Sequence, residues 1–205
     1  QMIQLADLAD TYGGAFRLTR RQNIILSEIP RDRIESVTER VSKIGFPIEA
    51  NDLRRSSIAC TGEPFCNYAV GETKQKLKEI IEHLETVFGD QTAGLRLNLD
   101  GCPHACAHHW IGDIGMQATT LRERSDSGER LRGYDLFLRG GLSGQAGIGN
   151  PVLRRVPADV VHIYTERLFR SYLDERMNHE SIQQYFHRRS DEDLGSIAAG
   201  EERIV

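Results

Sequence analysis

Apolar residues recur at helical spacing from the first turn, where Ile3, Leu5, Leu8 and Tyr12 fall on one side of an amphipathic segment that Gly13-Gly14 breaks. Two short runs rich in β-formers follow, Ala15 to Thr19 and Asn23 to Ser27, separated by the polar Arg20-Arg21-Gln22, and they predict a hairpin. Pro30 marks the start of a helix whose face is Ile34, Val37, Val41 and Ile44, with Gly45 as its stop. Residues 1–50 therefore read as a small α+β unit. Two strands bury little apolar surface, so the unit is expected to need a cover, an N-terminal segment or a partner chain.

The second region, residues 51–205, carries the strongest stripe in the chain: Leu77, Ile80, Ile81, Leu84, Val87 and Phe88, closed by Gly89. Leu95, Leu97 and Leu99 alternate with Arg96 and Asn98, the period of a half-buried strand, and Tyr134 to Leu138 predicts another. Five glycines between 140 and 150 permit tight turns in a surface loop or close approach to a ligand. A helix is expected from Pro157 to about Met177, a shorter one around Ile182, Tyr185 and Phe186, and a loosely ordered acidic tail after Ser190. The whole is an α+β chain without internal repeats.

Two hundred and five residues suffice for one ordinary domain, or a small module attached to a larger one. With 39% hydrophobic and 27% charged residues the chain is too apolar for disorder, and no run approaches the roughly 18 apolar residues of a membrane span. A net charge of −4 argues against general nucleic-acid binding, which relies on clustered positive charge. No basic patch followed by an apolar stretch marks a secretory signal, so a cytoplasmic location is expected, with no membrane partner. The chain opens on Gln1 inside a helical pattern, which reads as a piece of a longer polypeptide. Of the 26 basic residues 22 are Arg, whose planar fork suits an anionic ligand, although an organism that favours arginine would give the same bias.

All four cysteines fall in two pairs, Cys60 with Cys66 and Cys102 with Cys106, with 35 residues between the pairs. Each pair sits on a predicted loop at the end of an element, where four thiolates can converge. Disulfides would suit an exported protein; structural zinc prefers tighter knuckles; four unrelated buried thiols would leave the pairing unexplained. An iron-sulfur cluster, wider than one ion and ligated by four Cys thiolates at varied spacings, fits the spacing best. That leaves an electron carrier or a four-cysteine zinc module as rivals to any catalytic reading. His104, His108 and His109 surround the second pair and read as surface groups or as outer neighbours of the ligands, with Trp110 packing beside them.

The stretch Ala59-Cys60-Thr61-Gly62-Glu63-Pro64-Phe65-Cys66, running into Ala69-Val70-Gly71-Glu72-Thr73-Lys74, with Gly101-Cys102-Pro103-His104-Ala105-Cys106 and Gly112-Asp113-Ile114-Gly115, resembles the signature of the sirohaem-containing nitrite and sulfite reductases. Upstream, Arg17-Leu18-Thr19-Arg20-Arg21-Gln22-Asn23-Ile24 is similar to the family's ferredoxin-like half-repeat. The likeness continues through Leu138-Arg139-Gly140-Gly141 to Phe186-His187-Arg188-Arg189-Ser190.

The resemblance implies the C-terminal half of such an enzyme: a ferredoxin-like half domain over 1–50 and a mixed α/β 4Fe-4S and sirohaem-binding domain over 51–205. It implies a 4Fe-4S cluster on Cys60, Cys66, Cys102 and Cys106, the last sulfur also serving as axial ligand of the sirohaem iron. The activity implied is six-electron reduction of nitrite to ammonia or sulfite to sulfide, with electrons from ferredoxin; Thr61 to Phe65 and Gln22-Asn23-Ile24-Ile25 lie slightly closer to the nitrite branch. Arg17, Arg21, Arg54 and Arg55 are candidates for the carboxylates of the macrocycle. His104 stands where the family usually has Asn, and the cations that hold the substrate oxyanion belong to the family's N-terminal half. No catalytic residue is therefore assigned here.

Overall fold

Leu5, Leu8 and Ala9 are buried along one side of α1 (Met2–Tyr12), which ends where Gly13 turns left-handed at φ 70°. In the computed structural model, which describes residues 1–46, 48, 51–63, 65–142 and 146–201, this helix packs on α2 (Ile34–Ile44). The expected face of α1 is narrower than its spacing suggested, since Ile3 lies 79% exposed. The hairpin forms as β1 (Ala15–Leu18) and β2 (Ile24–Ser27), antiparallel, with Ala15 opposite Ser27 and Leu18 opposite Ile24. It remains a two-stranded sheet with Phe16, Leu18 and Ile25 exposed.

A short helix α3 (Asp52–Ser56), N-capped by the Asn51 side chain, leads into β3 (Ile58–Ala59). Then come α4 (Lys74–Phe88), β4 (Leu97–Asp100), β5 (Ile114–Arg124), β6 (Arg130–Leu138) and β7 (Asn150–Pro157). The five strands form one sheet in sequence order; β3, β4 and β5 are parallel, and β5, β6 and β7 antiparallel. Leu77, Ile80, Ile81, Leu84 and Phe88 of the α4 stripe pack into the core with α5 (Val161–Glu175), where Phe88 meets Phe169 edge to face at 5.1 Å, while Val87 is exposed. Among the described residues, no helix is long and apolar enough to cross a membrane.

Four expectations change. β4 is not half-buried: all four of its residues are buried, because the chain after it folds back over the side that bears Asn98 and Asp100. The fifth helix begins at Val161, since Pro157 still belongs to β7. Residues 191–199 are not loose. After α6 (Ile182–His187) they form α7 (Asp191–Ala199), which Ser190 and Asp193 close with a capping box and whose Leu194, Ile197 and Ala198 are buried. The glycines of the 140s approach the chain itself. A Cβ on Gly140 would press on the Trp110 carbonyl, Gly149 N–H donates to that carbonyl at 2.7 Å, and Gly141 bridges Gly147; Gly144 lies outside the described residues.

α7 also supplies a stability prediction. Gly195 sits inside it with helical φ and open space around its Cα, so Gly195→Ala gains helix propensity without a clash. We expect about 1 kcal/mol of added stability, read as a higher urea midpoint at unchanged slope. A lowered midpoint would show that α7 is not formed in solution.

The hairpin turn docks on the second sheet through side chains. Arg21 Nη1 donates to the Ser56 carbonyl (2.6 Å) and Asn23 Nδ2 to that of Arg55 (3.0 Å), two acceptors that the end of α3 leaves free. Gln22, left-handed at φ 60°, donates Nε2 to the Ala59 carbonyl (2.7 Å). Lys74 Nζ reaches the same carbonyl (3.3 Å) and the Gln22 amide oxygen (2.8 Å).

Candidate cofactor site

Both cysteine loops leave the carboxyl ends of neighbouring parallel strands. Cys60 follows β3 directly, with its N–H on the Leu99 carbonyl (3.0 Å), and Cys102 stands two residues beyond β4. In open α/β sheets, ligands gather at this end of the strands. The loops touch: Gly101 N–H donates to Cys60 Sγ at 3.1 Å, Val70 N–H to the Gly101 carbonyl at 2.9 Å, and Thr73 Oγ1 to the Cys60 carbonyl at 2.8 Å. Glycine is required twice at this seam. Gly62 has φ 65°, and a Cβ there would lie 2.9 Å from Thr73 Cγ2; one on Gly101 would meet Ala69 Cβ at 3.0 Å.

All four cysteines are free thiols: Cys102 buried, Cys60 and Cys66 half-buried, Cys106 exposed. Burial pushes the Cys60 thiol up, opposed by the Gly101 and Gly62 amides and the Thr73 hydroxyl. N–H donors aimed at sulfur favour a thiolate and tune cluster potentials. Among the described residues, no three His, Cys, Asp or Glu side chains are grouped so as to hold a single metal ion. Four free thiols on two touching loops are the full donor set of a 4Fe-4S cluster, and the residues present fit that group.

The three histidines divide. His104 Nδ1 lies 3.4 Å from Cys102 Sγ, with its ring 5.1 Å from that of Tyr68. His108 lines a small pocket with Arg20, Arg21 and Arg96, against Ile58 and Asn98. His109 is not at the surface: it is fully buried, with Nδ1 2.9 Å from Asp100 Oδ2. Trp110 is 39% exposed, its ring 5.0 Å from that of His109.

The candidate arginines also separate. Arg54 is held bidentate by Glu85 (2.6 and 3.3 Å), which raises its already high pKa, and Arg55 pairs with Asp52. Arg17 is exposed on β1. Arg21 is partly buried beside Arg20, and burial and that neighbouring charge lower its pKa. Arg96 is engaged by Asp113 through both its backbone N–H and its guanidinium. Crowded cations at Arg20 and Arg21 make the kind of potential that attracts an anion. Arg139 joins two stretches far apart in sequence, donating to the carbonyls of Phe186 (2.9 Å) and Arg189 (2.8 Å) and pairing with Asp191 (2.6 Å).

Residues 1–44 match the family model of the nitrite/sulfite reductase ferredoxin-like half domain, and residues 50–193 that of the nitrite and sulphite reductase 4Fe-4S domain. The chain is 33% identical over 159 residues to a ferredoxin--nitrite reductase of Synechococcus elongatus, covering 77% of this chain and 30% of that protein. It is 28% identical over 196 residues to a ferredoxin sulfite reductase of Mycolicibacterium paratuberculosis, covering 93% of this chain and 35% of the other. The solved structure of the Mycobacterium tuberculosis NirA protein superimposes with a TM-score of 0.83 at 26% identity, over 93% of this chain and 36% of that one. The chain thus spans about a third of the length of these relatives.

Proposed function

The chain belongs to the nitrite and sulphite reductase 4Fe-4S family, and from that premise we propose that it is the C-terminal part of a ferredoxin-dependent enzyme reducing nitrite to ammonia or sulfite to sulfide. Its two parts are a ferredoxin-like half domain over residues 1–50 and a cofactor-binding domain over 51–205. Cys60, Cys66, Cys102 and Cys106 would hold a 4Fe-4S cluster, and Cys106 would be the residue that also meets the sirohaem. When bound, the pair accepts electrons one at a time and delivers six to the substrate. The observation that carries this reading is the contact of the two loops, Gly101 N–H on Cys60 Sγ, at the carboxyl ends of β3 and β4.

Each side chain has a task within it. Cys106, the exposed thiol of the four, is the one open to a second, larger group beside the cluster. Cys102 is buried and Cys60 and Cys66 are half-buried, which would limit water at the cluster on their side. Arg17 and Arg21 offer cations to the macrocycle carboxylates; Arg54 and Arg55 are paired with Glu85 and Asp52 and would have to leave them to do so. Ferredoxin is the donor and the cytoplasm the setting. Nitrite is the favoured substrate: identity is higher to the Synechococcus nitrite reductase than to the sulfite reductase, over a shorter stretch.

The test is anaerobic purification with iron, sulfide and zinc analysis beside an absorption spectrum. We expect five irons per chain, four of the cluster and one of the sirohaem, with four sulfides, a haem-type Soret band and a red-shifted companion. Cluster absorption alone would favour an electron-transfer module, and zinc without iron would end the account. The chain by itself is expected to turn over neither anion with reduced ferredoxin, because the oxyanion cations implied by the family likeness lie outside it.

A further inference from the structure

The loop from Gly101 to His108 folds back over β4, and polar residues of that strand hold it there. Asn98 and Asp100, two positions apart, lie on the same face. Asn98 Nδ2 donates to the carbonyls of Ala107 (2.8 Å) and His108 (3.0 Å). Asp100 Oδ1 accepts from Ala107 N–H (2.7 Å), and Oδ2 from both His109 N–H (3.1 Å) and the His109 ring at Nδ1 (2.9 Å). Asp100 is 1% exposed and His109 is fully buried. A carboxylate taken this far from water is tolerated because three donors converge on it.

The loop needs such restraint. Ala105 (φ 54°) and His108 (φ 55°) are non-glycine residues in the left-handed region, and backbone of that kind persists only where its surroundings over-determine it. The His109 side chain points to the same conclusion. Its ring lies 4.5 Å from that of Phe137 and 5.0 Å from that of Trp110, and its buried Nε2 has no hydrogen-bond partner among the described residues. A phenyl ring would fill this apolar niche without stranding a nitrogen, so the imidazole's one polar contribution is the N–H at Nδ1 given to Asp100.

We propose that Asp100 and His109 are positioning residues: a buried carboxylate–imidazole latch that fixes the loop bearing Cys102 and Cys106 on β4, and so sets where the Cys106 sulfur stands relative to Cys60. The proposal rests on the reading of these cysteines as cluster ligands. A loosened latch lets Cys106 sample several positions, and the cluster it holds then takes several environments.

The test compares His109→Phe, His109→Asn and Asp100→Asn with the parent in the protein carrying its cofactors. Cluster midpoint potential and the electron paramagnetic resonance line shape are read alongside amide exchange in the cluster-free chain. His109→Phe fills the niche but lacks the donor. Its cluster signal should shift and broaden, and exchange at the Ala107 and His109 amides should quicken at least about tenfold, as for loss of one hydrogen bond to a charged group. His109→Asn supplies an N–H close to the Nδ1 position and should keep the parental potential despite a lower melting temperature. Asp100→Asn removes a negative charge and should move the potential positive. Leu84→Ala, a cavity in the α4 core, controls for stability: it should melt earlier with an unchanged cluster signal. Parental signals in both His109→Phe and Asp100→Asn would overturn the latch, as would a Leu84→Ala that shifts the potential equally. If Asp100→Asn does not fold, the two His109 variants decide between them. A parent protein that takes up no 4Fe-4S cluster would overturn the ligand reading instead.

Discussion

In the complete enzyme, replacing Cys106 by alanine is expected to abolish reductase turnover and the magnetic coupling between cluster and haem, while leaving the cluster-free fold of this chain almost unchanged. The thiol is exposed, so its removal opens no cavity and strands no buried donor, and we expect the apo chain to melt within about 0.5 kcal/mol of the parent. Cys60→Ala separates the two effects. Its half-buried sulfur accepts the Gly101 N–H, so the apo fold should lose about 1 kcal/mol, with failure chiefly of the cluster. Absorption and paramagnetic resonance spectra of the two variants check this. A Cys106→Ala protein with a normal haem spectrum and intact coupling would show that another group bridges the irons.

The second large effect involves no ligand. Gly115 of β5 lies between Asn98 and Phe137 in the sheet, and the turn at His109–Ile111 runs directly over it. A methyl group at Gly115 would overlap the His109 carbonyl oxygen, lie 2.7 Å from its carbon and 3.2 Å from Phe137 Cβ. Backbone cannot yield as a flexible side chain does, so Gly115→Ala should cost about 3 kcal/mol or more. For a chain of this size that is a fall of roughly 6–12 °C in melting temperature. The same displacement would drag His109 from Asp100, so cofactor content should fall with stability. A variant melting within about 1 kcal/mol of the parent would show that the turn does not lie on β5 in solution.

How far the sequence could be read depended on whether burial followed periodicity. The hairpin, α2 and α4 are legible because one face is apolar and the other polar, and the four cysteines because their pairing has few uses. β7 is obscured by Pro151 and Pro157, which are tolerated since it is an edge strand. β5 buries Ile114, Met116 and Ala118 at alternate positions, but Gly115 and Ala118 are weak strand formers and blur the signal. The acids of α7 resemble a solvated tail, yet Asp191, Glu192 and Asp193 occupy its first turn, where the helix dipole favours them. Asn98 and Asp100 mislead most. Alternation with leucine marks them as the wet side of a strand, and only the returning loop, seen in three dimensions, makes that side dry and gives Asp100 its partner in His109.

The docking of the hairpin turn bears on how the chain avoids self-association. β3 is two residues long and lies at the rim of the five-stranded sheet, where another molecule's strand could add. Gln22 and Lys74 occupy the Ala59 carbonyl with side-chain donors, and Arg21 and Asn23 take those of Ser56 and Arg55 just before it. Side chains end a ladder that backbone would extend, so this rim offers no template for growth. The guard is itself four separate residues, three on one tight turn, which makes aggregation from this rim a matter of losing a turn rather than of unfolding a domain.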